Sequence, residues 1–429
     1  MPIFTSQAVG SVKGLGFTSS SATYFVGYYN TTAAQALGYP SSISATPSGF
    51  VYLASQTGSS TKAATVVGIS QSGNLVFQNR YGTNGSINAG GQIDASGNLI
   101  TVGSFATASA RNAIYKYDVA GTYVNSVGIN TPSTNSGNTN CYIDSSGNIH
   151  IAGSNGSATQ AGIYLKYDSS FTLLNQYNLT LSGSPLILVG IGGDSSGNIY
   201  ITGYTVISTV YYIFLIKLDS TGAIVWQYKY AFGATATMSY QNLAVDSSGN
   251  IYVATNLSTE IILSKFDSSG TEQWSKKSTQ SPSITSSSLA IDPSSTYLYV
   301  GAYNGAKGIT LKYDLSGNLQ WARSLSIGTT ALNSAFFAVN SFACYTLLTV
   351  PVSSVAKSAI GCFPTDGSKT GTYSVSGITF TYAAETVTQS TVTFTRTALG
   401  ATKSNASFTA AGFSNTAAAV TATFTSTIT

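Results

Sequence analysis

Cysteine, histidine and charged residues are scarce in this chain of 429 residues. It contains three cysteines and one histidine, and charged residues make up 7% of it. Cys141, Cys344 and Cys362 are odd in number and far apart, which argues against a disulfide scaffold and fits synthesis in a reducing compartment. The net charge of +4 is spread thinly, without a run of lysines or arginines, so we expect no nucleic-acid partner.

Long hydrophobic runs are absent as well. Apolar stretches such as residues 210–216 are far shorter than the ~20 residues that span a bilayer, so we expect no membrane insertion. The first residues, Met-Pro-Ile-Phe-Thr-Ser, contain neither the basic region nor the apolar core of a secretory signal. We therefore expect a protein that is made in a host cytoplasm and stays where it is made or leaves by lysis.

What the chain has instead is a repeated turn followed by a strand. The clearest copy is Asp-Ser-Ser-Gly-Asn-Ile-Tyr-Ile-Thr-Gly at residues 194–203. Its aspartate can bond the nearby backbone, its Gly and Asn tolerate positive φ, and the alternating β-branched and aromatic run that follows predicts a strand. The turn aspartates recur at intervals of 50, 50, 52 and 46 residues, at Asp94, Asp144, Asp194, Asp246 and Asp292.

A second turn series runs in step with the first. It has the form Lys-x-Asp and occurs at residues 116–118, 166–168, 217–219, 265–267 and 312–314. In three copies a tryptophan follows the next glycine by four residues, at Trp226, Trp274 and Trp321. The fifth copy predicts strands at residues 242–245, 251–255, 261–266 and 271–276. Four short antiparallel strands in every 46 to 52 residues are typical of a β-propeller blade.

The predicted fold is all-β, a seven-bladed β-propeller of four-stranded antiparallel blades with a C-terminal Thr/Ala-rich β segment. The propeller is expected over residues 43–383, and its degenerate seventh blade over residues 337–340, 344–350, 359–363 and 372–382. Cys344 and Cys362 should then lie almost opposite each other on adjacent strands. Residues 1–42 are expected to pack on the propeller or close it, and residues 384–429 to form a β-rich assembly segment.

The repeated pattern also resembles a known family. Ala-x-Asp-Ser-Ser-Gly-Asn-Ile-Tyr-Val-Ala-Gly followed by Leu-x-Lys-Tyr-Asp-x-x-Gly is similar to the SBBP family of seven-bladed propeller repeats, over about residues 43–383. The WD dipeptide of WD40 blades and the paired glycines of kelch blades are not repeated here. The resemblance implies a propeller fold and no single activity.

The sequence indicates no catalytic, cofactor or metal site. Gly193, Ser195 and Gly197 match the nucleophile-elbow pattern, but that motif requires a strand-to-helix turn, and a hairpin is predicted here. His150 occupies a register where other copies have tyrosine, so we interpret it as a packing residue. Ten of the 14 acids are repeat aspartates, and the others are too scattered for a glycosidase pair: Asp366, Glu260, Glu272 and Glu385.

The repeat residues have structural interpretations. Each Asp-Ser-Ser-Gly-Asn turn offers one carboxylate, so a turn cap is favoured over a calcium loop. The Lys-x-Asp pairs are expected to form solvated or cross-blade ion pairs rather than a ligand-binding ring of lysines. The tryptophan series is expected to pack between blades rather than to form a sugar platform.

Three functional hypotheses follow from the sequence. The first is a non-enzymatic structural or adhesive protein of a virus particle, such as a capsid decoration, head fibre or tail component of a tailed phage, contacting other virion proteins or a host-surface glycan. The second is a bacterial surface adhesin or glycan-binding module. The third, a propeller hydrolase or lyase, is disfavoured by the few acids and the single histidine. Because residues 420–429 alternate without the lysines or prolines that guard an edge, we expect residues 384–429 to lie outside the propeller and to pair as strands with another subunit or protein. The alternative is a disordered threonine-rich tail.

Overall fold

The predicted seven-bladed β-propeller is confirmed. The computed structural model describes residues 24–31, 37–57, 63–81, 85–86, 91–105, 111–130, 140–154, 161–231, 238–258, 260–280, 284–332, 334–352, 355–375, 377–406, 410–411, 417–419 and 422–428. These residues form seven antiparallel sheets of five or six strands each. Within them, no helix has the length and hydropathy needed to cross a bilayer.

In each of the first three blades, strands a, b, c and d follow each other in the chain, and one further strand precedes them. The first strand is β1 (Phe25–Thr31). Blade 1 contains β2 (Leu37–Ala45), β3 (Val51–Thr57), β4 (Ala63–Ile69) and β5 (Leu75–Tyr81). In blade 2, strand a is divided into β6 (Gly85–Ser86) and β7 (Gly91–Ile93), followed by β8 (Leu99–Phe105), β9 (Arg111–Tyr117) and β10 (Tyr123–Asn130). Blade 3 contains β11 (Asn140–Ile143), β12 (Ile149–Ser154), β13 (Gly162–Tyr167) and β14 (Leu173–Thr180).

The other four blades continue this order. Blade 4 contains β15 (Ile187–Gly193), β16 (Ile199–Ile207), β17 (Val210–Leu218) and β18 (Ile224–Ala231). Blade 5 contains β19 (Met238–Val245), β20 (Ile251–Leu257), β21 (Glu260–Phe266) and β22 (Glu272–Thr279). Blade 6 contains β23 (Thr285–Ile291), β24 (Tyr297–Tyr303), β25 (Lys307–Asp314) and β26 (Leu319–Ile327). Blade 7 contributes β27 (Ser334–Val339), β28 (Ala343–Val352) and β29 (Val355–Pro364).

Antiparallel order gives the ring two different faces. The turns between strands a and b and between c and d lie on one side, which we call the turn face. The connections between b and c, and from d to the next blade, lie on the other side, which we call the loop face. The turn-face connections are tight because they use the repeated aspartate and glycine: in Asp194–Asn198 the Gly197 N–H donates to Asp194 O, with Gly197 at φ 78°.

The prediction of the fourth strand of blade 7 was wrong. Residues 372–382 were assigned to it, but that position is taken by β1, which pairs with β29 in the register Phe25 to Cys362. Residues 372–382 instead lie in a hairpin of β30 (Gly371–Val375) and β31 (Ile378–Ala384), and β31 pairs with β26 of blade 6. The backbone hydrogen bonds between β1 and β29 thus join the two ends of the propeller, and the ring is closed.

The C-terminal segment surrounds the whole ring. After β31 on blade 6, one further strand is added outside strand d of each remaining blade, in the order 5, 4, 3, 2, 1 and 7. These strands are β32 (Thr388–Thr391), β33 (Thr395–Ala398), β34 (Thr402–Asn405), β35 (Ala410–Ala411), β36 (Ala417–Ala419) and β37 (Ala422–Ile428). We call residues 378–428 the belt.

The belt corrects the prediction for residues 384–429. The alternating segment is indeed paired, but its described strands pair with blades of the same chain: β33 with β18, β34 with β14, and β37 with β1. The prediction failed because each strand d was considered complete, whereas its outer backbone groups were available as partners for a fifth strand. Self-association through this segment stays a prediction.

Blades are joined by an aromatic ring lying over a glycine. The aromatic residue is on strand d or on β1, and the glycine is in the c–d turn of the next blade. A Cβ at Gly317 would come within 2.9 Å of the Trp274 ring, and a Cβ at Gly121 would come within 2.1 Å of the Phe77 ring. The same contact occurs at four other joints: Phe25 over Gly73, Tyr177 over Gly222, Trp226 over Gly270, and Trp321 over Gly367. The predicted inter-blade packing of the tryptophans is therefore confirmed.

The carbonyl of the same turn glycine is hydrogen bonded across the joint. In blades 1 and 6 the donor is on strand d, where Asn79 donates to Gly121 O and Arg323 donates to Gly367 O. In blades 3, 4 and 5 the belt supplies the donor: Lys403 to Gly222 O, Arg396 to Gly270 O, and Gln389 to Gly317 O. The belt therefore ties neighbouring blades together as well as covering their edges.

We predict that deleting residues 386–429 lowers thermal stability and promotes association of the protein. The deletion uncovers strand d in blades 1 to 5 and β1 in blade 7, and exposed edges pair with other chains. A chain ending at Asn405 keeps the added strands on blades 3, 4, 5 and 6, and its melting temperature should lie between those of the other two chains. Thermal denaturation and light scattering measure both effects. Equal melting temperatures for all three chains would contradict a stabilising role of the belt.

We predict that Gly317→Ala destabilises the propeller by roughly 1–3 kcal/mol more than Gly305→Ala. Both glycines have positive φ, at 84° and 82°, so both substitutions carry the same backbone strain. A Cβ at Gly317 would meet the Trp274 ring, whereas a Cβ at Gly305 meets no atom within 4 Å. Denaturant unfolding of the two variants measures the contribution of the joint between blades 5 and 6. Equal losses in the free energy of unfolding would show that Trp274 does not pack closely on Gly317.

Candidate functional site

The aspartates of the a–b turns in blades 4 and 5 each accept four hydrogen bonds. Asp194 Oδ1 accepts from the N–H groups of Ser196 and Asn198, at 2.9 and 3.0 Å. Asp194 Oδ2 accepts from Asn198 Nδ2 and Tyr200 Oη, both at 2.8 Å. Asp246 has the same four types of partner. These carboxylates fasten turns, and no group of three potential metal ligands occurs among the residues that the structure describes.

His150 has the position and the role of the repeat tyrosines. Its Nε2 lies 3.0 Å from Asp144 Oδ2, where Tyr200 and Tyr252 hydroxyls reach Asp194 and Asp246. Its Nδ1 lies 2.8 Å from Tyr164 Oη, and the imidazole is buried. Burial lowers the pKa of His150, against the opposing effect of Asp144. The imidazole therefore stays neutral where an exposed histidine would take up a proton.

Asp144 shows the electrostatic result of this arrangement. Burial alone would raise its pKa, but hydrogen bonds from His150 and Asn148 outweigh burial and hold the pKa at about 2. The carboxylate is thus ionised at neutral pH and acts as an acceptor rather than as an acid. Tyr164 next to it has a pKa raised by burial and stays protonated.

The Lys-x-Asp series has several kinds of partner. Lys116 forms an ion pair with Asp94 of its own blade at 3.0 Å. Lys217 lies over the Tyr200 ring and donates to Ser268 O of blade 5, and Lys312 likewise lies over Tyr299 and donates to Thr365 O of blade 7. The ion pair of Lys116 thus lies within a blade rather than across blades as expected, and the cross-blade contacts of Lys217 and Lys312 are made to backbone carbonyls.

The thiols are buried and unreactive. Cys344 pairs with Phe363, and Cys362 pairs with Tyr345, so the two cysteines are on adjacent strands as predicted but one register apart. This offset puts their side chains on opposite faces of the sheet, and both are free thiols. Burial raises the pKa of Cys141 and Cys362 to about 12, which keeps these thiols protonated.

The loop face has a different charge from the turn face. Every aspartate of the chain lies in a turn of the turn face. Among the described side chains, Lys229, Lys276, Lys277 and Lys307 are basic residues in the loop-face halves of the blades. The acids paired with these are Glu260, 3.0 Å from Lys277, and Glu385, bonded to Lys307. In the described part of the chain, no carboxylate lies within ion-pair distance of Lys229 or Lys276.

A tyrosine-bearing hairpin projects from the loop face of blade 4. β16 and β17 are joined by Ser208 and Thr209, both with positive φ, and extend two residues further than the equivalent strands of blade 5. Tyr204 and Tyr211 contact each other on one side, with ring centroids 6.1 Å apart. On the other side Lys229 Nζ lies 5.3 Å from the centre of the Tyr212 ring. We call Tyr204, Tyr211, Tyr212 and Lys229 the tyrosine ridge.

The sequence prediction missed the tyrosine ridge. Residues 210–216 were noted only as an apolar run, yet three tyrosines occur within nine residues around a two-residue turn. The three rings are only partly buried, whereas the repeat tyrosines Tyr200 and Tyr252 are fully buried. Aromatic residues near the end of a long hairpin, away from the repeat register, were the available signal.

Comparisons with known proteins find similarity to solved structures only. No family model and no curated protein matches the chain. The crystal structure of polysaccharide lyase Uly1 matches with a TM-score of 0.52 and 9% identity, covering 84% of this chain and 98% of that one. The propeller domain of the Trilobed protease from Pyrococcus furiosus matches with a TM-score of 0.48 and 10% identity, covering 76% and 95% of the two chains. The Dos1 propeller matches with a TM-score of 0.46 and 10% identity, covering 79% and 94%.

These similarities concern the propeller alone. At 9% identity the match to Uly1 supports the fold and leaves activity open. The fold implied by the SBBP resemblance is confirmed, while membership of that family stays a prediction.

We predict that His150→Tyr with Tyr164→Leu preserves stability at neutral pH and removes a pH dependence. The new tyrosine at position 150 can donate to Asp144. The new leucine at position 164 then matches Leu215 and Leu263, which occupy the equivalent position in blades 4 and 5. His150→Tyr alone leaves the Tyr164 hydroxyl without its partner, which costs about 1–3 kcal/mol.

The pH dependence follows from the lowered pKa of His150. In the unfolded chain this histidine binds a proton near pH 6.5, whereas the folded protein resists protonation until lower pH. The free energy of unfolding of the natural chain should therefore fall as pH drops below 6.5, and that of the double variant should not in this window. Denaturant titrations between neutral pH and pH 5 measure this difference, and parallel curves would contradict it.

Proposed function

We propose that this protein is a non-enzymatic structural and adhesive component of a virus particle, serving as a capsid decoration, head fibre or tail component. The observation that carries the proposal is the belt. A chain that closes its ring with β1 and then covers strand d of every blade is built as a rigid display scaffold, with its outer edges protected against unwanted pairing. The neutral, hydroxyl-rich composition suits a protein exposed to varied surroundings.

The use of the acidic residues supports a non-catalytic role. The aspartates cap turns, Glu260 and Glu385 pair with lysines, and Glu272 accepts from Ser275 and from the Phe394 N–H in the belt. His150 is buried between Asp144 and Tyr164. A general acid or base needs a group that can reach a substrate, and these groups instead hold the fold.

A bacterial surface adhesin has the same structural requirements and is the second candidate. What separates the two is location: a virion protein is carried by particles released by lysis, and an adhesin is displayed by intact cells. The contacts of the propeller with other virion proteins or with a host-surface glycan are part of the same proposal.

Immunogold electron microscopy tests this proposal. Antibodies against the purified protein should label particles purified by density gradient from a lysed host culture, and should leave intact, uninfected cells unlabelled. Mass spectrometry of the same particles should find the full-length chain. Label on uninfected cells, with none on particles, would favour the adhesin.

A further inference from the structure

We propose that the tyrosine ridge and the neighbouring cations of the loop face bind an anionic glycan, a polysaccharide carrying carboxylate or sulfate groups. This inference deepens the proposed function, since it names the class of host-surface ligand that the propeller would contact. It rests on the ridge geometry and on the separation of charge between the two faces.

The ridge is built for contact with a flat, amphipathic ligand. Its tyrosines stand on a hairpin that is hydrogen bonded along its full length up to the two-residue turn, so they are held rigidly. Tyrosine offers a large contact area at small cost in conformational entropy, with a hydroxyl to bond polar groups. The hydroxyl-rich, partly apolar faces of sugar rings match this surface.

The two sides of the hairpin present aromatic surface together. Tyr204 packs on Ile187 and Val189 of β15, which anchors it and the Tyr211 ring beside it. Tyr212 lies on the opposite side of the hairpin with Lys229 over its ring. A glycan crossing the end of the hairpin would therefore meet tyrosine on both sides and a cation on one.

The charge distribution selects an anionic ligand. The carboxylates of the turn caps are confined to the opposite face, and Lys229 and Lys276 extend from strand d of blades 4 and 5 without an acidic partner among the described residues. Lys276 Nζ is bonded only weakly, to Thr391 Oγ1 of the belt at 3.3 Å. The unpaired charges of these two lysines would attract an anion and repel a cation.

The spacing of the cations favours a glycan over nucleic acid. Duplex DNA carries one charge for each ~1.7 Å of its axis and requires a dense set of cations. Here Lys229 and Lys276 extend from neighbouring blades, and Lys229 lies over the Tyr212 ring. A polysaccharide with one anionic group on every sugar or every second sugar has the lower charge density that this arrangement can neutralise.

Calorimetric titration of the isolated, full-length protein tests the proposal. The ligands are polygalacturonate and dextran sulfate, each compared with a neutral polymer of the same backbone: methyl-esterified polygalacturonate and dextran. At least one of the two anionic polymers should bind, more weakly at higher ionic strength, and neither neutral polymer should bind. Comparison of the two anionic polymers distinguishes carboxylate from sulfate recognition.

Three variants locate the binding site. Tyr211→Ala with Tyr212→Ala should weaken binding about ten-fold, and Lys229→Gln about three-fold with a smaller salt dependence. Lys369→Asn removes the same charge from an exposed position of the turn face and should change the affinity less than about two-fold. Its positive φ of 66° suits asparagine. Unchanged melting temperatures establish that each variant is folded.

Several outcomes would overturn the inference. Equal binding of the neutral polymers would remove the anionic selectivity, and absence of binding to every polymer would remove the site. Equally tight binding of duplex DNA, insensitive to the tyrosine substitutions, would indicate nonspecific attraction of polyanions. Because these measurements use isolated protein, their failure leaves the location on virus particles unaffected, and a failed particle label leaves glycan binding unaffected.

Discussion

Six of the seven blade joints depend on one contact: an aromatic side chain of one blade lying on the turn glycine of the next. The glycine adopts the positive φ that the turn requires and leaves room for the aromatic side chain. Its carbonyl accepts a hydrogen bond from a donor across the joint. This pairing fixes the distance and the angle between neighbouring sheets. It recurs at six of the seven joints of the ring.

The joint between blades 2 and 3 shows that the constraint concerns volume rather than a particular sequence. Phe171 stands where the other turns have glycine, with φ 70°, and strand d of blade 2 has Asn125 in place of the aromatic residue. Phe171 is buried in a cluster with Val127 of blade 2 and Leu165 of blade 3. The aromatic residue has thus moved from the strand to the turn, and the joint is still filled.

The blades could be predicted from the sequence because their information is local. Asp194, Gly197 and Asn198 specify a turn through their own backbone chemistry, and the alternation that follows specifies a strand. The partners of β1 and the belt could not be predicted, since an alternating run such as residues 422–428 indicates a strand and carries no record of which edge it joins. The ridge was missed for a related reason: Tyr211 and Tyr212 acquire their role from the length of the hairpin, and the repeat register provides no expectation for residues beyond it.

The order in which the belt visits the blades has a mechanical consequence. Because it ends on blade 7, β1 lies between β29 and β37, and Phe25 is opposite Ile428 at the same end of two antiparallel strands. A force that pulls these two residues apart loads the hydrogen bonds of the β1–β37 ladder one after another, as in opening a zipper. A force applied along β1 toward its other end must shear the ladders on both sides at once. The β1–β37 ladder therefore resists a load in one direction far better than in the other, so the way in which a tether is attached decides whether the end of the belt stays paired with blade 7 under tension.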